Sequence, residues 1–265
     1  MSKKIHFISG LPRSGSTLLC NILAQNPKFH STATSGILDI LVLNRNQWDI
    51  ILEMRAMPHI QAELKKGNVI KSILNGYFED VAEEVVFDKS RGWLAYLELA
   101  NSILGRPAKV LVPVRKIEDV LTSFEKLYRQ NISSRPLTPE QSDFARWQTV
   151  EGRCEVWCDH AQPVGLAYNR IKDALHRGLK DQIHFVEYEK LTADPTDTIQ
   201  LVYEFLNEPY FQHDFDNVIQ VTQEDDYVHG IPDLHTIRPK VQVQPSQSRD
   251  ILGEAANKYR GLELW

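Results

Sequence analysis

Eight consecutive residues carry the clearest chemistry in this chain: Gly10-Leu11-Pro12-Arg13-Ser14-Gly15-Ser16-Thr17. An apolar run, Ile5 to Ser9, precedes them, and behind them Leu18, Leu19, Ile22 and Leu23 repeat at helical spacing. A strand that turns through glycines into a helix aims backbone N–H groups and the positive end of the helix dipole at one anion. Arg13 adds a planar charge, and Ser14, Ser16 and Thr17 add hydroxyls. The spacing is that of a Walker A loop, except that Ser16 stands where the lysine belongs. That lysine serves the outer phosphates of a triphosphate. A ligand with one 5′-phosphate and a small second anionic group does not need it.

3′-Phosphoadenosine 5′-phosphosulfate (PAPS) is such a ligand. Gly10 to Leu19, reading GLPRSGSTLL, resembles the 5′-phosphosulfate loop of the PAPS-dependent sulfotransferases, in the form found in tyrosylprotein sulfotransferases and related bacterial enzymes. The resemblance implies a P-loop-type fold and transfer of a sulfuryl group to a hydroxyl, with PAP as the nucleotide product.

Four further segments fit. Arg115, after an apolar run, and Ser123, eight residues on, have the spacing of the family's 3′-phosphate motif. Lys89, after Phe87-Asp88, matches a lysine that in the family stabilises the departing phosphate. A fixed cation suits the negative charge that grows there as the S–O bond breaks. Val186-Glu187-Tyr188-Glu189-Lys190-Leu191 resembles a segment in which a tyrosine, here Tyr188, lies near the nucleotide. Asp233 to Lys240 resembles the late basic loop, with Arg238 as the phosphate contact and Lys240 as second choice. The expected nucleotide-binding set is therefore Arg13, Ser14, Gly15, Ser16, Thr17, Arg115, Ser123, Tyr188 and Arg238.

The resemblance breaks at the base. Where the tyrosylprotein branch carries a glutamate, this chain has Thr34, and no histidine follows Lys89 closely. His229 and His235 rank ahead of Asp39 as candidates, because imidazole titrates near neutrality. The missing glutamate favours a small hydroxylated acceptor over a protein tyrosine.

Two other functions compete. A P-loop small-molecule kinase would use Asp88 as a magnesium ligand, and a non-catalytic protein would bind PAP without transfer.

The composition narrows the partners. With 265 residues and a net charge of -5, no global basic field exists to hold nucleic acid or an anionic membrane. Three cysteines, Cys20, Cys154 and Cys158, do not form a disulfide framework and suit a reducing compartment. Cys154 and Cys158 have no second ligand pair nearby, so no metal is expected. No apolar stretch is long enough for a leader or a membrane span, which leads us to expect a cytoplasmic chain.

The elements that must position these residues alternate. Strand-like runs at Ile5–Ser9, Val85–Asp88, Ala108–Val114 and Ile183–Val186 are each followed by a helical pattern. That alternation predicts an α/β fold, a parallel sheet flanked by helices, as one domain over residues 1–265. Helical stretches Ile37–Lys66, Val69–Glu84 and Pro139–Leu179 read as insertions. The polar tail from Thr222 reads as a long loop ending in a short helix.

Overall fold

A computed structural model describes residues 3–131, 144–229 and 232–265. Five parallel strands form one sheet in the order β2-β3-β1-β4-β5. They are β1 (Lys4–Ile8), β2 (Phe29–Thr34), β3 (Val85–Lys89), β4 (Val110–Val114) and β5 (Ile183–Glu187). Every residue of β3 and β4 is buried, as the near-continuous apolar runs require of strands covered on both faces. The four expected strands are present. β2 is a fifth that the sequence reading missed, because Phe29-His30-Ser31-Thr32-Ala33-Thr34 has only one large apolar residue.

Helices α1 (Ser16–Leu23), α10 (Tyr188–Ala193) and α11 (Pro195–Leu206) cover one face. Leu19, Ile22, Leu23, Leu191, Ile199 and Val202 pack there against Ile8, Phe87 and Leu111. The other face carries α2 (Ile37–Trp48), α4 (His59–Tyr77), α5 (Leu97–Leu104) and α6 (Ile117–Gln130). Also on that side are α8 (Val150–Cys158) and α9 (Pro163–His176), which α7 (Phe144–Trp147) precedes. Phe7 and Trp93 meet at its centre, ring centroids 4.0 Å apart. A fully buried side chain of this kind contributes about 1.5–3 kcal/mol. The core can therefore carry a strained loop at its edge.

The insertion Ile37–Lys66 is not one helix. It breaks after Trp48 and again before Pro58, leaving the short α3 (Leu52–Arg55) between the longer pieces. Pro58 cannot continue a preceding helix but is well placed to start one. α4 then runs through Gly67, where the sequence reading had divided two stretches. The tail closes with α12 (Ser248–Leu252) and a 3-10 turn, Gly253–Tyr259.

β1 lies between β3 and β4, so the chain connections leave it in opposite directions. A crevice opens at the carboxyl ends of strands at such a reversal. The loop Gly10–Thr17, Lys89 and Arg115 all leave the sheet at this end.

Candidate active site

The sheet itself shapes the loop. β4 pairs with β1 only as far as Ile8 and Leu111; beyond that the loop runs beside Pro113, whose carbonyl accepts from Leu11 N–H at 2.9 Å. A Cβ on Gly10 would lie 2.1 Å from the same carbonyl oxygen, so only glycine fits. Gly15 has φ +84 and lies against Tyr188, where a Cβ would come within 2.7 Å of the ring. Arg13 takes φ +58, a left-handed conformation that costs a non-glycine residue about 1–2 kcal/mol. Ser14 departs from expectation. Its hydroxyl is buried, 2.6 Å from Leu11 O and 2.9 Å from Pro113 O, so only its main chain is left for a ligand.

Two expected subsites merge into one cluster. Arg13 Nε donates to Ser123 Oγ at 3.0 Å, and its Nη1 donates to the carbonyl of Leu234 in the tail. Arg115 lies beside it, donating to Arg13 O at 3.4 Å and stacking on Tyr188 at 4.4 Å. Burial, then the charge of Arg115, holds Arg13 below the ordinary arginine pKa. Arg115 Nε is buried without a partner. Among the described residues neither guanidinium has an ion-pair partner. Two crowded, partly desolvated cations with an orphaned donor are arranged for an anion.

Lys89 faces the loop from β3. Its ammonium lies 3.5 Å from Thr17 Oγ1 and 3.2 Å from Glu224 Oε2, with 7% of its side chain exposed against 8% for Glu224. The second oxygen of Glu224 accepts the Thr34 N–H at 2.9 Å. That amide is available because the register of β2 shifts between Ser31 and Thr34. His235 Nδ1 lies 3.4 Å from Glu224 and 2.5 Å from Asp226. Burial pushes the Glu224 carboxyl up, but Thr34, Lys89 and His235 outweigh it and hold it below the usual range. The sequence reading missed Glu224. No pattern surrounds it in Thr222-Gln223-Glu224-Asp225, and only the fold brings it to Lys89.

Glu224 lines a hollow with Thr222, Asp226 and His235, and the loop apart from Ser14, with Lys89, Arg115, Ser123, Tyr188, His235, Arg238 and Lys240, lines one adjoining cleft of about 780 Å³. Arg238 is exposed there and bonded to Gln244; Lys240 is exposed and paired with Asp216 at 2.7 Å. Lys126 of α6 and Arg91 also line it, and neither was expected. Asp39 is exposed on α2 and does not line it. The side chain of His229 lies outside the described residues. Asp88 is fully buried and accepts the Trp93 indole N–H at 2.6 Å, so it is not presented to the loop.

A model of the sulfotransferase family matches residues 6–212, most of the chain and all of the loop. The chain belongs to the sulfotransferase family. Flavonol 4′-sulfotransferase of Flaveria chlorifolia is 26% identical over 220 residues, 81% of this chain. This chain covers 59% of that relative's length. The sulfotransferase domain of the Synechococcus PCC 7002 olefin synthase superposes with a TM-score of 0.51 at 18% identity. That match covers 98% of this chain and 96% of the domain. The sulfotransferase domain from the curacin biosynthetic pathway gives the same score and identity, over 100% and 92% of the two chains. These two likenesses show a shared sulfotransferase fold. No helix among the described residues is long and apolar enough to cross a membrane.

Proposed function

We propose that this sulfotransferase moves the sulfuryl group of PAPS to a hydroxyl of a small-molecule acceptor. The observation that carries the reading is the Arg13–Arg115 pair beside the glycine loop, with the buried, unpartnered Arg115 Nε. A ligand that satisfies this cluster carries a phosphate there and a second anionic group at the loop. PAPS has both, and when bound it supplies an electrophilic sulfur and a phosphate leaving group.

The chain's own residues divide the work. The N–H groups of Ser14 to Thr17 and the start of α1 bind the 5′ group. Arg13, Arg115 and Ser123 bind the 3′-phosphate, Tyr188 keeps Arg115 and Gly15 in place, and Arg238 closes the cleft from the tail. Lys89 supplies positive charge where it develops on the leaving side, an effect worth several kcal/mol, roughly. The proton of the acceptor passes to the group of Glu224, His235 and Asp226. The flavonol 4′-sulfotransferase relative supports a small hydroxylated acceptor. The engagement of Asp88 with Trp93 speaks against the kinase alternative, in which that carboxylate would face the loop.

Incubation with PAPS and a panel of hydroxylated small molecules, followed by mass spectrometry, tests the proposal. A product heavier by one sulfuryl group supports it. Tight PAP binding with no product across the panel would leave only a PAP-binding protein.

A further inference from the structure

We propose that Glu224 is the general base of the reaction, and that His235 and Asp226 are positioning residues that hold it. This rests on the sulfuryl-transfer reading above and names a residue that borders that site through Lys89 and His235.

The carboxylate is fixed on three sides. Lys89 holds it from β3 at 3.2 Å, the Thr34 amide from the edge of β2 at 2.9 Å, and His235 from the tail at 3.4 Å. Thr34 is the position at which a base was sought in the sequence and a hydroxyl found instead. A carboxylate is therefore present at this place, delivered by a distant segment.

Its presence has an electrostatic cost. The cleft gathers Arg13, Arg115, Lys89 and Arg91 around a site for a polyanion, and Glu224, which lines the adjoining hollow and meets the cleft through Lys89 at 3.2 Å, opposes that ligand. A carboxylate that only neutralised Lys89 would weaken both donor binding and the leaving-group cation. A base suits that location, because His235 lines both the hollow and the cleft, and Lys89, 3.2 Å from Glu224, lies 3.5 Å from Thr17 of the loop.

His235 is arranged to serve the carboxylate. Its Nδ1 faces Asp226 Oδ1 and Glu224 Oε2 together, so this nitrogen carries a proton and donates. In the transfer, the hydroxyl oxygen forms a bond to sulfur while the bond from sulfur to the bridging oxygen breaks. The electron pair of that bond leaves with the 5′-phosphate, and the hydroxyl proton ends on Glu224. The contact with Lys89 keeps Glu224 ionised beforehand. As Lys89 turns to the developing charge, that hold on Glu224 weakens and its basicity rises.

The test is Glu224→Gln, which keeps the shape and an oxygen for the Thr34 amide. PAP binding is read by calorimetry, and PAP release from PAPS is read with phenols, primary alcohols and water as acceptors. We expect PAP affinity to be unchanged or up to about tenfold tighter, and turnover to fall by about 10²–10⁴. The acid limb of the pH–rate profile should vanish. The groups facing this carboxylate are Lys89 and Arg91 by β3, Cys20 on α1, and His235 and Asp226 in the tail. His235→Asn should lower turnover only about tenfold and move the acid limb to higher pH. Glu224→Asp, which retains the charge, should keep the thermal stability of the wild type and part of its rate.

Three results would overturn the assignment. Glu224→Gln could turn over within threefold of wild type. It could lose PAP affinity and rate together, which marks a structural ion pair. His235→Asn could lose as much rate as Glu224→Gln, which makes the imidazole the base. A wild type that binds no PAP fails earlier and removes the donor reading itself.

Discussion

Asn21 and Thr222 are joined by a hydrogen bond of 2.8 Å across 201 positions of sequence. Asn21 lies on the helix that carries the phosphate loop. Its Oδ1 accepts the N–H groups of Val221 and Thr222, and its Nδ2 also donates to Thr17 O. The tail is thus pinned two residues before Glu224. Gln220 ties the returning leg, donating to His235 O at 3.1 Å and accepting from Ile237 N at 3.0 Å.

Asn21→Ala should therefore act on the site through the tail. It removes the partner of two N–H groups and of a buried hydroxyl, each worth about 1–3 kcal/mol when left unsatisfied. We expect a loss of roughly 2–4 kcal/mol in urea unfolding, allowing for local relaxation. The tail should also become open to limited proteolysis. Unchanged unfolding and an equally protected tail would show that the anchor is idle.

The arginine pair makes a prediction about the donor. Arg115→Ala should erase most of the preference of the wild type for PAP over AMP, because AMP lacks the 3′-phosphate. Arg13→Ala should weaken PAP by about 1.5–3 kcal/mol, the range for hydrogen bonds to charged groups. Arg13→Lys should not restore it, since a single ammonium cannot both donate to Ser123 and reach the ligand as the guanidinium fork does. Calorimetric titration of both nucleotides into each variant reads the outcome. Equal affinity of the wild type for PAP and AMP would refute the 3′-phosphate assignment.

Lys89→Ala should separate binding from chemistry. The proposed contact strengthens as charge develops on the leaving side, so turnover should drop by a hundredfold or more while PAP affinity changes little. Steady-state rates and PAP titration on the same preparation check this. Proportional losses in both would reduce Lys89 to a ground-state contact.

His6 makes the fold sensitive to acid. Its ring is fully buried in β1, neither nitrogen has a partner, and burial lowers its pKa from 6.5 to about 3. Arg106, Lys4 and Lys109 add to the effect. Between those two values the unfolded chain binds a proton that the folded chain does not. Stability therefore rises with pH across that window and is lost on acidification, by up to about 1.4 kcal/mol per pH unit from this group. Asp88, pushed up to about 6, acts with the opposite sign, and cancels in a difference between two proteins that both carry it. The wild-type-minus-His6→Leu difference in stability should therefore fall steadily on acidification from pH 6 to 4. A difference that stays constant across that range would contradict the burial of a neutral imidazole.

What the sequence determined by itself is local. Gly10 to Thr17, Arg115 and Lys89 were legible because each belongs to a strand end or a helix start, and Ser123 because it lies at a short fixed spacing from Arg115. Backbone geometry and short spacing fix what such residues can present, and both are written in adjacent positions. Even there the side chains were underdetermined: Ser14 turns inward to Pro113, and Arg13 crosses to Ser123 instead of staying with its own loop. The tertiary structure alone decided the rest. β2 forms from a mostly polar segment because its partner β3 supplies the ladder, and its register shift frees the Thr34 amide. Glu224 reaches Lys89 because Asn21 and Gln220 hold an irregular tail across the site. The bonds of Asn21 and Lys89 to the tail span 200 and 135 positions, and those of Gln220 join an irregular loop with no period, so no local pattern of sequence announces them.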